Sequence, residues 1–186
     1  NPKAVLYYLL KDFGFTAWDD IFNLLSSQTG KMIFSPTHRL LKNRRFLILS
    51  TNPSKETQNN DILIEGFQDI DFPLGELRFK IVPKFEKTGM NQIFVEKNSI
   101  KFPLKLRKWK ESDYFYPFGM KGKKKLSRFL KDEKFSLFAK EKIWVLTSEE
   151  KVVWVVGHRP DERFRVHSKN SGVLKIRFVP KPEFSH

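Results

Sequence analysis

The chain contains no cysteine. That excludes thiol catalysis, disulfides and Cys-based zinc sites, and it fits a cytoplasmic protein. No run of about 18 apolar residues occurs, so neither a membrane span nor a membrane partner is expected. Secretion through a signal peptide is not expected either. The four histidines, His38, His158, His167 and His186, lack metal-ligand spacing, and no glycine-rich loop of Walker or dinucleotide type appears. Neither a catalytic nor a metal site is therefore expected in these residues. The chain starts without Met and runs directly into helical sequence, which reads as a piece of something longer.

Aromatic side chains and positive charge are abundant. Nineteen phenylalanines and the absence of a low-complexity tract indicate a globular protein with a real core in one domain or two small ones. The net charge of +14 is segregated. Residues 1–60 carry eight Lys/Arg against four acids, and residues 61–100 carry five against seven. Residues 101–186 carry twenty-two against ten. A surplus gathered in one half points to an anionic partner such as nucleic acid, whereas a uniform one would suggest only solubility.

The pattern is α+β: an N-terminal helical segment leads into short strands, and a compact α+β C-terminal domain follows. Val5, Leu6, Leu9 and Leu10 recur at helical spacing over 3–11, ending near Gly14. Thr16 is the expected N-cap of a second helix, with Asp19 and Asp20 in its first turn. Strands are expected at 31–34 and 45–50, separated by a break at Ser35 and Pro36, then a polar loop over 51–60. Further strands are expected at 61–65, 76–82, 92–97, 104–109, 142–147, 152–156, 162–166 and 173–179, with a helix at 123–135. Charge and pattern place a boundary near 98–102, giving a middle region of 1–98 and a basic domain of 99–180.

Residues 104–131, LKLRKWKESDYFYPFGMKGKKKLSRFLK, concentrate ten basic residues against Glu111 and Asp113, with aromatics interleaved. A disordered basic tail would lack that apolar content, so a folded surface for a polyanion is indicated. Lys121, Lys123, Lys124 and Lys125 fall at the expected start of the helix, where cations are disfavoured and unpaired N–H groups bind anions. A phosphate there would relieve the repulsion, and Gly119 and Gly122 would let the backbone approach it. A lysine run is commonly only a solvated face, but here Lys105, Arg107, Arg163, Arg165, Lys175 and Arg177 add basic residues on neighbouring strands. Trp109, Tyr114 and Tyr116 are either core or stacking surfaces for unpaired bases, and the phase of Trp109 makes it the best stacking candidate. HRPDER (158–163) reads as a structural Asp161–Arg pair before an acid–base cluster.

LKLRKWKESDYFYPFGMKGKKKLSRFLKD, followed by VVWVVGHRPDERFRV, closely resembles the C-terminal domain of bacterial tRNA(Ile)-lysidine synthetase. Matching positions are Arg107, Trp109, Asp113, Pro117 to Gly122, Lys124, Lys125 and Leu126, then Gly157, Arg159, Asp161, Arg163 and Phe164. SSQTGKMIFSPTHRL (26–40) resembles the family's middle region. The resemblance implies a C-terminal fold similar to a domain of the phenylalanyl-tRNA synthetase β subunit. It also implies a ligase that uses ATP to join lysine to the wobble cytidine of the tRNA(Ile) anticodon. That tRNA modification belongs to an N-terminal catalytic domain with a Ser-Gly-Gly-x-Asp-Ser loop, where ATP and magnesium would act. This chain lacks such a loop and should be inactive alone, with no cofactor of its own. Its implied partners are tRNA(Ile), gripped along the body and acceptor stem through phosphates, and the family's own N-terminal catalytic domain. Charge and resemblance together nominate Arg107, Lys108, Lys121, Lys123, Lys124, Lys125 and Arg128 as tRNA contacts, with Arg163 beside them. Asp113 and Asp161 are expected to orient arginines or cap turns. The competing reading is a bracing or dimerisation domain with a solvated basic face, in which Leu126 and Phe129 would carry assembly. A hydrolase using His158 and Asp161 is a third.

Overall fold

A computed structural model describes residues 1–53, 61–86, 89–167 and 172–182. The chain forms two compact units, Asn1–Gln58 with Ser136–Phe138, and Asn59–Phe135 with Ala139–His186. Much of the expected 51–60 loop lies outside the described residues.

In the first unit, α1 (Pro2–Leu10) is started by Asn1, whose side chain accepts the Lys3 N–H, and by a proline in the first turn. A 3-10 turn, Lys11–Phe13, ends at Gly14, whose φ of 73° is the left-handed conformation that favours glycine. The N-cap of α2 (Trp18–Leu24) is Ala17 and not the expected Thr16; it has no side-chain cap, while Asp19 and Asp20 do occupy the first turn. Three antiparallel strands follow, β1 (Met32–Phe34), β2 (His38–Asn43) and β3 (Phe46–Thr51), in the order β1-β2-β3. The central strand β2 was not expected from the sequence, since its ends are polar and its turn is the uncommon pair Arg44 and Arg45, with Arg44 at φ 55°. Leu10, Phe15, Ile21, Leu24, Ile33 and Leu40 form the core.

The second unit stacks two antiparallel sheets. The five-stranded sheet runs β13 (Arg159–Pro160), β12 (Lys151–Val155), β11 (Trp144–Ser148), β8 (Leu104–Lys108) and β4 (Ile62–Ile64). The four-stranded sheet runs β5 (Ile70–Phe72), β6 (Gly75–Val82), β14 (Val173–Pro180) and β7 (Gln92–Glu96). Side chains alternate across each strand, so Leu104, Leu106, Trp144 and Leu146 of one sheet meet Leu77, Ile93, Leu174 and Ile176 of the other in one core. The opposite face of the five-stranded sheet is covered by α3 (Leu126–Asp132) and the hairpin of β9 (Tyr114–Phe115) with β10 (Lys124–Lys125). There Phe115, Leu126, Phe129 and Leu130 pack on Val145, Val152 and Val155. A short helix, α4 (Leu137–Glu141), follows α3.

The boundary expected near 98 marks a change of charge, and backbone pairing crosses it: β4 pairs with β8, and β6 and β7 pair with β14. The expected strand at 162–166 is instead a 3-10 turn, Glu162–Phe164, capped by the Asp161 carboxylate. The expected helix at 123–135 begins later, at Leu126, because Lys124 and Lys125 are drawn into pairing with Phe115 and Tyr114.

Candidate nucleic-acid interface

The lysine-rich segment is a loop held at both ends by buried carboxylates. At one end, Arg107 on β8 donates from Nη1 and Nη2 to the two oxygens of Asp113, each at 2.8 Å. Asp113 Oδ2 also accepts the Lys110 N–H at 2.7 Å, and the Asp113 carbonyl accepts the Leu126 N–H at 2.9 Å. Arg107 is 2 % exposed, and its hydrogen bonds with Asp113 raise its pKa above the ordinary guanidinium value against the effect of burial. The expectation that Arg107 meets phosphate is therefore corrected: its fork is used internally, tying β8 to the start of α3.

At the other end, Asp161 accepts the N–H groups of Tyr116 (3.0 Å) and Arg163 (2.8 Å). It also takes Nε and Nη2 of Arg163, the latter at 2.7 Å. Burial works against the charge of Arg163, and the Asp161 hydrogen bond and charge outweigh it, so its pKa is raised. Around this pair, Glu162 N–H donates to Tyr116 O, Phe118 N–H to Pro160 O, and Gly119 N–H to Glu162 Oε2. Residues 116–119 are thus laced to 160–163. Gly119 and Gly122 take φ values of 76° and 86°, which a β-carbon would disfavour.

The nominated lysines divide. Lys121, Lys123, Lys125 and Arg128 are exposed, and they form no ion pair with a carboxylate among the described residues. Lys124 pairs with Asp132 at 2.9 Å, and this hydrogen bond holds the Asp132 carboxyl below the usual range. Lys108 turns inward, donating to Glu141 O at 2.7 Å with its Nζ 5.0 Å from the Trp144 ring centroid. Burial pushes its pKa down to about 8. Lys105 pairs with Glu150 at 2.7 Å. Lys175 and Arg177 alternate with the inward Leu174 and Ile176 of β14, which places them on the far side of the four-stranded sheet, away from the loop. The phosphate site expected at a helix start is also corrected. The lysines precede a helix of seven residues, and its first N–H is already bonded to Asp113.

Trp109 is half-buried. It packs on the cluster under α3 and donates Nε1–H to Lys140 O at 2.7 Å. Tyr114 is 39 % exposed and Tyr116, two residues along, is half-buried, with Phe115 fully buried between them. Lys123 Nζ lies 3.5 Å from the Tyr114 centroid, and the Arg163 guanidinium carbon lies 4.7 Å from Tyr116 and 5.8 Å from Tyr114. The signal that could have identified them is the alternation of Tyr114, Phe115 and Tyr116. His158 packs edge-on to Phe135 at 4.9 Å, and burial lowers its pKa. Asp161 is fully engaged by backbone and arginine donors, so an acid–base pair with His158 finds no support. Among the described residues no group of three or more His, Asp or Glu could hold a metal ion. No helix among the described residues is long and apolar enough to cross a membrane.

Comparison with known proteins identifies the class of domains to which the chain is similar. Residues 1–53 match the family profile described as the TilS substrate binding domain, and residues 104–178 match the TilS substrate C-terminal domain. Together these cover more than half of the chain. The tRNA(Ile)-lysidine synthase of Parabacteroides distasonis is 41 % identical over 184 residues, covering 96 % of this chain and 42 % of the relative. That of Bacteroides thetaiotaomicron is 34 % identical over 181 residues, covering 96 % and 40 %. A crystal structure of a TilS C-terminal domain superposes with a TM-score of 0.56 at 15 % identity, covering 65 % of this chain and 98 % of that one, which shows a shared fold. The chain belongs to the tRNA(Ile)-lysidine synthase family. It spans about two fifths of the length of these curated relatives.

Proposed function

We propose that this chain is the tRNA-gripping portion of a cytoplasmic tRNA(Ile)-lysidine synthase, holding the body and acceptor stem of tRNA(Ile). The family's ATP-dependent joining of lysine to the wobble cytidine would fall to a catalytic domain outside these residues, where ATP and magnesium would act. The observation that carries the reading is the set of exposed cations Lys121, Lys123, Lys125 and Arg128, running from the loop through β10 into α3 and braced by two buried aspartates that each hold an arginine. A-form duplex is met mainly through phosphates and shape, and cations on a rigid support suit that task with little ordering cost on binding. Arg163, partly exposed beside Asp161, belongs to the same face of the proposal, whereas Lys124 contributes only if it leaves Asp132.

The test is titration of the chain with tRNA at several salt concentrations. Affinity should fall steeply with salt, and charge reversal at Lys121, Lys123 and Lys125 should weaken it. Binding insensitive to both would overturn the reading.

A bracing or dimerising role has one favourable observation, the exposed Val5, Tyr8 and Leu9 of α1. Leu126 and Phe129 do not serve it, because they are 0 % and 2 % exposed within their own core. Under that role, substitutions in α1 would alter assembly while loop lysines could be removed without loss of tRNA affinity.

A further inference from the structure

We infer that Tyr114 and Tyr116, with Lys123 and Arg163, form a stacking platform for unpaired nucleotides adjoining an RNA duplex. The inference rests on the tRNA-binding reading and assigns a second kind of contact to the same face. Three observations carry it. First, β9 sends Phe115 into the core and leaves Tyr114 exposed, and Tyr116, the next residue, is half-buried, so the rings are anchored by the residue between them. Second, Arg163 reaches both rings while Asp161 holds its Nε and Nη2 edge, which keeps a cation beside two aromatic rings before any ligand arrives. Third, the ammonium of Lys123 covers Tyr114 from an exposed loop residue beside Gly122, so it can move off the ring. A base stacking on Tyr114 would replace that contact, and the freed ammonium would remain near the nucleotide's own phosphate.

The chemistry favours unpaired nucleotides. Bases inside an A-form helix present no free faces to a tyrosine, whereas an unstacked nucleotide offers a π-face that any aromatic ring can use. Phosphates alone would need the cations and make no use of exposed rings. The combination of immobilised guanidinium, two tyrosines and a movable lysine matches single-stranded binding surfaces, where stacking and backbone charge act together.

The test uses the full chain and two RNA hairpins, one blunt and one with an unpaired 3′ extension of about four nucleotides. The wild-type chain is expected to bind the extended hairpin about tenfold more tightly, a difference of about 1.4 kcal/mol. Tyr114→Ala with Tyr116→Ala should abolish that increment and leave the blunt hairpin's affinity unchanged, while Tyr114→Phe should retain it. An increment that survives the double substitution, or its absence in the wild-type chain, overturns the inference and leaves the duplex-gripping proposal standing. Equal loss on both hairpins, with Tyr114→Phe behaving like Tyr114→Ala, also overturns it. Failure of the wild-type chain to bind either hairpin overturns both proposals.

Discussion

Arg107 and Asp113 face each other through two parallel 2.8 Å hydrogen bonds, with both side chains more than nine-tenths buried. The pair joins β8 to the first residue of α3, because the Asp113 backbone carbonyl also receives the Leu126 N–H. Asp113→Ala would strand a guanidinium where water is excluded, and it is expected to destabilise the fold by about 3–5 kcal/mol. Replacing both partners with Met and Leu should cost less than that single change, since no charge is left unpaired. Urea unfolding of the variants measures this. A loss below about 1 kcal/mol for Asp113→Ala would show that the pair behaves like a surface ion pair.

Lys121, Lys125 and Arg128 are distinguished from Lys80, an exposed lysine on β6 in the other sheet. Neutralising each of the first three with Gln is expected to reduce the slope of log affinity for tRNA against log salt by about one. Lys80→Gln should leave the slope unchanged. Fluorescence titrations over a salt series provide the comparison, and equal effects at all four sites would mean that binding follows net charge alone.

The legibility of the sequence differed between the two faces of the central sheet. Strands such as β14 were readable because Leu174, Ile176 and Phe178 alternate with Lys175 and Arg177, and that alternation separates core from solvent. On β8 the same alternation misleads. Leu104 and Leu106 face the sheet–sheet core, while Arg107 faces α3, so both sides of the strand are covered and the polar phase is not the wet one. The helix start at Leu126 was hidden for a related reason. Lys124 and Lys125 suit a helix locally, and only their pairing with Phe115 and Tyr114 extends them. Of the proposed site, the exposed cations and the turn glycines could be read from spacing. Which aromatics stay at the surface depended on the carbonyl of Lys140 reaching Trp109, a contact 31 residues distant.

Lys108 should show an unusual titration. Its folded pKa is pushed from 10.5 down to about 8 by burial, whereas the unfolded chain keeps the ordinary value. Between these two values the unfolded state binds the extra proton, so stability contributed by this group rises with pH across that window. Below about pH 8 the ammonium is charged in both states and the contribution is flat. NMR titration of the lysine side-chain resonances is expected to show one midpoint near pH 8. Lys108→Met should remove both that midpoint and this part of the stability slope. A Lys108 midpoint near 10.5 would refute the burial effect.

Asp161 is nearly inaccessible, yet its substitution is expected to reduce RNA affinity. Its carboxylate holds Tyr116 N–H and the Arg163 side chain, and the surrounding bonds from Phe118, Gly119 and Glu162 fasten the loop to the turn after β13. Asp161→Asn keeps the size of the side chain, but it replaces one acceptor oxygen with a donor and removes the counter-charge of Arg163. The loop is then expected to open more often, so hydrogen exchange at Tyr116, Phe118 and Glu162 should accelerate while amides of β11 and β12 remain protected. Affinity should fall in step, because the exposed lysines and the Arg163 guanidinium would have to be ordered at the moment of binding. Unchanged exchange together with reduced affinity would instead assign Asp161 a direct role at the RNA. Faster exchange with full affinity would show that the bracing of this loop is irrelevant to binding.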